Sequence, residues 1–152
     1  MPFPNFNYCI ICEGIRPEIG GKLTLLGYYG ITPFVQVLVV NPNIALGLCF
    51  VVGFPPVEDT GTVYQGTFSV SNPSGSTIFQ TPLAKIKVSS AGSGILGVNC
   101  VIASPYESGT YHLRIHINNE VKLDSVFQIR TATQAEMGFS GLPTPEPGGK
   151  PN

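Results

Sequence analysis

The sequence predicts an all-β fold, an antiparallel sandwich of short strands, and three observations carry that prediction. Short apolar or alternating runs recur along most of the 152 residues, clusters of Gly, Pro, Asn and Ser separate them, and no segment sustains a helical period. Charged residues make up only 11% of the chain, against roughly 25% in ordinary soluble domains. The 18 glycines and 14 prolines supply many reversals of direction. A chain of this length fits one domain and can bury a sizeable core without disulfides or a structural metal. We divide it into a sandwich domain, residues 1–130, and a Pro/Gly-rich tail, residues 131–152.

The elements follow in order. Residues 6–13 and 22–29 are two strand-like runs on either side of a Gly20-Gly21 reversal. Residues 34–40 and 44–54 are the most apolar region of the chain. Asn41-Pro42-Asn43 interrupts it, short of the roughly 20 unbroken residues a membrane helix needs, so it reads as two buried strands joined by a turn. A strand at 62–71 ends in Asn72-Pro73-Ser74-Gly75, which puts Asn, Pro and Gly at their favoured places in a type I turn. Two short runs, 77–80 and 84–88, and a longer one, 95–103, come next. The last two strands, 110–117 and 121–130, are joined by a three-residue loop, Asn118-Asn119-Glu120. That loop pairs Ile117 with Val121, Ile115 with Leu123, Leu113 with Ser125 and Tyr111 with Phe127 on one face, and Arg114 with Asp124 on the other. A two-residue turn would move both sets to the wrong faces. Residues 133–139 are compatible with a brief helix, and the tail beyond is too poor in apolar residues to order itself.

Charge and cysteine usage exclude several function classes. The net charge is −1 and the few Lys and Arg are dispersed, so no basic field invites nucleic acid. The opening "MPFPNFNYC" has neither the basic region nor the cleavage pattern of a signal peptide. With no export signal and no transmembrane segment, a cytoplasmic location follows, and the four cysteines read as reduced thiols.

Cys9 and Cys12 form a Cys-x-x-Cys pair with Ile10 and Ile11 between them. In a strand, residues three apart point to opposite faces about 10 Å apart, whereas one zinc ion needs both sulfurs at about 2.3 Å. The β-branched spacer favours the strand, and Cys49 and Cys100 stand alone in apolar runs, so buried structural thiols are expected and no metal or redox cofactor. "GSGILG" at 92–97 matches the spacing of a dinucleotide loop, but the β-branched "VNCVIASP" that follows offers no helix to present amides to a phosphate. His112, Arg114 and His116 alternate on one strand face. The two histidines are about 13 Å apart, too far to share a metal, so they form a solvated polar face or a contact surface that His titration could make pH-responsive. No G-x-S-x-G elbow is present and the only aspartates are Asp59 and Asp124.

The run "CEGIRPEIGGKLTLLGYYG" resembles the opening of a family of small, mostly bacterial proteins of unknown function, with its Arg-x-Glu-x-Gly-Gly-Lys-Leu-Ser-Leu-Leu-Gly pattern. Arg16, Glu18, Gly20, Gly21, Lys22, Leu23, Leu25, Leu26 and Gly27 match it, while Thr24 stands in place of Ser and Pro17 in place of a common acidic residue. "GTYHLRIHINNEVKLDSVFQI" resembles the closing hairpin of immunoglobulin-like sandwiches. The resemblance implies an immunoglobulin-like β-sandwich and no activity. Arg16, Glu18 and Lys22 surround the Gly-Gly reversal, where they can pair locally to hold the loop or present a polar contact point.

The expected function is therefore a non-catalytic protein-contact module, a structural or assembly component rather than an enzyme, with Arg16, Glu18, Lys22, His112, Arg114 and His116 as the contact surface. A protein partner or self-association is expected, with residues 131–152 contributing. A small-ligand-binding sandwich is the second reading and an enzyme the third.

Overall fold

The structure is a computed structural model that describes residues 2–20 and 22–138. Nine strands run through the described residues: β1 (Tyr8–Pro17), β2 (Leu23–Ile31), β3 (Leu38–Val40), β4 (Leu46–Phe54), β5 (Tyr64–Ser71), β6 (Thr77–Ile86), β7 (Gly94–Ile102), β8 (Gly109–Ile117) and β9 (Glu120–Thr131), followed by one helical turn, α1 (Gln134–Met137). They form two packed sheets, the first in the order β2-β1-β4-β7 and the second in the order β3-β9-β8-β5-β6. The tail expected beyond α1, residues 139–152, lies outside the described residues, as does Gly21 of the Gly-Gly reversal.

Alternation places the core. On β8, Tyr111, Leu113, Ile115 and Ile117 are buried between the sheets, while His112 and Arg114 are exposed. β4 lies between β1 and β7 and is buried on both faces, which explains its run without charge. Phe50 stands at the centre, its ring 5.0 Å from that of Phe68 and 5.7 Å from that of Phe127. Phe3 and Phe6, ahead of the first strand, close one end of the sandwich against Phe54 and Tyr64.

Four expectations need correction. The sandwich is not wholly antiparallel, because β3 runs parallel to β9, pairing Leu38 with Ile129 and Val40 with Thr131. The expected strand at 34–40 shrinks to these three residues, and it joins the second sheet while β4 joins the first. The runs at 77–80 and 84–88 are one strand, β6, because Pro82 sits on an edge where its missing N–H interrupts no second ladder.

The closing hairpin turns in two residues, not three. Ile117 pairs with Glu120 across Asn118 and Asn119, both with positive φ, 48° and 69°, the geometry of a type I′ turn. A bulge at Lys122 then shifts the register by one, since Ile115 faces Leu123 and His116 faces Val121. That extra residue restores the expected pairs Leu113 with Ser125, Arg114 with Asp124 and Tyr111 with Phe127. The Asn72 turn is as expected: Gly75 N–H donates to the Asn72 carbonyl at 2.9 Å, and Ser76 N–H donates to its side-chain oxygen at 2.8 Å.

Candidate functional site

The six residues singled out from sequence fall into two groups, one in each sheet. Arg16 lies near the end of β1, opposite Thr24 on β2. Its Nε donates to Glu18 Oε1 at 2.7 Å, and the Thr24 hydroxyl donates to the same oxygen at 2.8 Å. Glu18 N–H also donates to the Lys22 carbonyl at 2.8 Å. The geometry fits the loop-holding reading for Arg16 and Glu18. The Lys22 side chain makes no ion pair among the described residues, and beside it Ile19 at the tip of the hairpin is fully exposed.

His112, Arg114 and His116 lie on the outer face of the second sheet, opposite Ser71, Ser69 and Thr67 of β5. Arg114 Nε donates to Asp124 Oδ2 at 3.2 Å with both side chains half exposed. Beside His116 a shallow, open depression of about 350 Å³ is lined by Val63, Gln65, Thr67, Asn118 and Asn119. It presents neutral amides and hydroxyls, suited to hydrogen bonding at a surface.

The cysteines are free and buried. Cys9 enters the core between the sheets, while Cys12 sits in a second, smaller cluster with Cys49 and Val51, covered by Ile10, Ile15 and Leu25. Cys12 and Cys49 are direct cross-strand partners, and the Cys12 thiol donates to the carbonyls of Gly14 at 3.3 Å and Cys49 at 3.6 Å. Burial pushes Cys9 and Cys100 up to about 12 and Cys49 up to about 11. Cys12 is also raised, first by burial. Thiolates are the nucleophilic and metal-binding form, so these environments oppose both uses. Among the described residues no three His, Cys, Asp or Glu side chains are grouped to hold a metal ion. Nor is any helix among them long and apolar enough to cross a membrane.

Sequence reasoning missed an exposed apolar strand at the edge of the first sheet. β2, "LTLLGYYGI", is an edge strand with β1 as its one ladder partner. Leu23, Leu26, Tyr28 and Ile31 on it are 36%, 46%, 55% and 42% exposed. The available signal was the absence of charge from this run, which reads equally as a buried central strand. In the same sheet Ile95 and Val101 of β7 are exposed as well. Compared with protein-family models and with curated proteins, the chain matches none.

Proposed function

We propose that this protein is a non-catalytic contact module, a structural or assembly component that binds another protein chain through the β2 side of the first sheet. One observation carries the reading. An edge strand with no charged residue or proline leaves four large apolar side chains exposed and has β1 as its one ladder partner, its outer side covered only at the Gly30–Ile31 end by Phe34 and Val35, the kind of edge that proteins guard unless it is used. Strand addition to such an edge takes affinity from main-chain hydrogen bonds and specificity from alternate side chains.

The proposal includes an immunoglobulin-like form of the sandwich. It is supported by the second-sheet order β3-β9-β8-β5-β6 with its parallel β3/β9 pair. The Tyr111 hydroxyl, which donates to the Glu107 carbonyl four residues upstream at 2.7 Å, supports it too.

Native mass spectrometry of gently purified full-length protein, combined with amide hydrogen exchange, tests the function. The chain is expected in complex with a protein chain, with β2 amides exchanging more slowly in the complex than in the separated chain. A bare chain whose β2 amides exchange equally fast at every concentration overturns the reading.

A further inference from the structure

We infer that the hollow at the Phe3 end of the sandwich is a binding site for a small organic cation with an apolar body, of the alkylammonium class. The hollow shares no residue with β2, so the inference stands apart from the contact-module reading. It holds about 230 Å³, less than the roughly 300–1,000 Å³ of sites for drug-sized ligands. It therefore fits a ligand of few non-hydrogen atoms.

Its walls come from two segments that the core holds in place. Pro2 and Pro4 flank Phe3, which is buried with Phe6 against Phe54 and Tyr64. On the connection between β4 and β5, Pro56 and Glu58 flank Val57, which is buried and whose N–H donates to the Ser89 carbonyl at 3.0 Å. The same connection is braced by Asp59 Oδ1, which accepts from Gly61 N–H at 3.0 Å, and by the Thr60 and Thr62 hydroxyls, 2.8 Å apart. Three rigid pyrrolidine rings and a braced loop form the site ahead of its ligand, which lowers the ordering cost of binding.

The lining selects both the charge and the body of the ligand. Glu58 supplies its one carboxylate, and among the described residues no Lys, Arg or His lines it. Neither Glu58 nor the adjacent Asp59 enters an ion pair among the described residues. A cation in the hollow therefore meets an uncompensated negative charge, and an anion is repelled. The carbon of the three prolines and Val57 favours an apolar body on that cation. A metal ion does not fit, since one carboxylate and the Thr60 hydroxyl are too few ligands. The prolines also argue against a peptide, because Pro2, Pro4 and Pro56 have no N–H to pair with its carbonyls. A free amine needs no such pairing.

Amide chemical shifts of the full-length protein, titrated with n-butylammonium, n-butanol and butyrate, test the inference. n-Butylammonium is expected to move the Val57, Glu58, Thr60 and Tyr64 signals to saturation, n-butanol to bind about fivefold more weakly and butyrate not to bind. From ethylammonium to n-butylammonium, each methylene should tighten binding by up to about fourfold. Glu58→Gln should weaken n-butylammonium about fivefold, the scale of one exposed ion pair, and bring it level with n-butanol. Asp124→Asn, on the outer face of the second sheet, should change nothing. Equal binding of the three probes, no saturable shift at these residues, or unchanged affinity in Glu58→Gln overturns the inference. Nα-acetyl-lysine methylamide carries the same ammonium on peptide groups and should bind more weakly than n-butylammonium. Tighter binding would overturn the free amine and assign the hollow to a lysine of a partner chain.

Discussion

The Tyr111 hydroxyl donates to the main-chain carbonyl of Glu107 at 2.7 Å while its ring stacks on Phe127 with centroids 5.6 Å apart. The side chain therefore ties the entry of β8 to the core through two separable contacts. Tyr111→Phe keeps the ring and loses the hydrogen bond, at an expected cost of about 1 kcal/mol. Tyr111→Ala loses both and should cost about 3–5 kcal/mol. Denaturant melts of the two variants check the difference, and equal losses would show that packing contributes little.

Arg114 and Asp124 pair across β8 and β9 with each side chain 50% exposed. Such a pair is worth about 0–1 kcal/mol, so Arg114→Ala and Asp124→Ala should each shift the denaturation midpoint only slightly. Ile115, adjacent on β8 but fully buried, should cost about 2–5 kcal/mol as Ile115→Ala. Larger losses from the two polar substitutions than from Ile115→Ala would mean that the outer face of the second sheet contributes more than its exposure implies.

Cysteine burial sets a pH dependence. The folded state holds the protons of Cys9, Cys49 and Cys100 up to about 12, 11 and 12, from an ordinary value of 9.0. Since the folded pKa lies above the unfolded one, the stability these thiols contribute is complete below 9.0 and is lost as pH rises through that window. Each thiol can remove up to about 1.4 kcal/mol per pH unit within it. Urea melts at neutral pH and near pH 10 should show a falling midpoint, and a thiol reagent at neutral pH should label the chain slowly until it unfolds. Rapid labelling of all four cysteines in the native protein would contradict their buried environment.

Arg130 grips Glu136 with its two terminal guanidinium nitrogens, each 2.8 Å from a carboxylate oxygen, and Thr133 closes a capping box on the same residue. Arg130 first, then the Thr133 backbone N–H, hold the Glu136 carboxyl down at about 2. A depressed carboxylate contributes its stabilising effect above the ordinary carboxylate range and loses it as pH falls through the folded value. An NMR titration should place Glu136 well below an exposed glutamate in the wild type and return it towards the ordinary range in Arg130→Ala. An unshifted Glu136 in the wild type would mean that this contact does not persist in solution.

The strands were legible where sequence pattern and environment are both local. β8 alternates because one face meets the other sheet, and β4 lacks charge because both its faces are covered. Edge status was not legible, because it depends on strand order, so β2 and β4 look alike in sequence although one is an edge and the other central. The same holds for Cys12 and Cys49, which are 37 residues apart and become partners only through the β1/β4 ladder. Of the six candidate site residues, the Arg16/Glu18 contact and the shared face of His112, Arg114 and His116 were legible from spacing. That the two groups belong to different sheets was not, since each reading stopped within its own hairpin.

The closing hairpin offers the last test. Sequence pairing required Tyr111 to face Phe127, and a three-residue loop was the simplest way to achieve it. The chain instead uses a two-residue turn and recovers the register by bulging at Lys122, whose carbonyl accepts from Phe6 N–H at 3.2 Å and whose ammonium pairs with Glu120 at 2.7 Å. Asn118 and Asn119 both occupy the left-handed region, which costs most residues about 1–2 kcal/mol and glycine almost nothing. Asn-Gly is the preferred pair for this turn, so Asn119→Gly should leave stability unchanged or raise it by up to about 1 kcal/mol. Asn119→Val, β-branched at a φ of 69°, should lower it by about 1–2 kcal/mol. Thermal melts of both variants distinguish the turns. In a three-residue loop without this conformation glycine would gain nothing and valine would be tolerated, so a stable Asn119→Val protein would refute the two-residue turn and the Lys122 bulge with it.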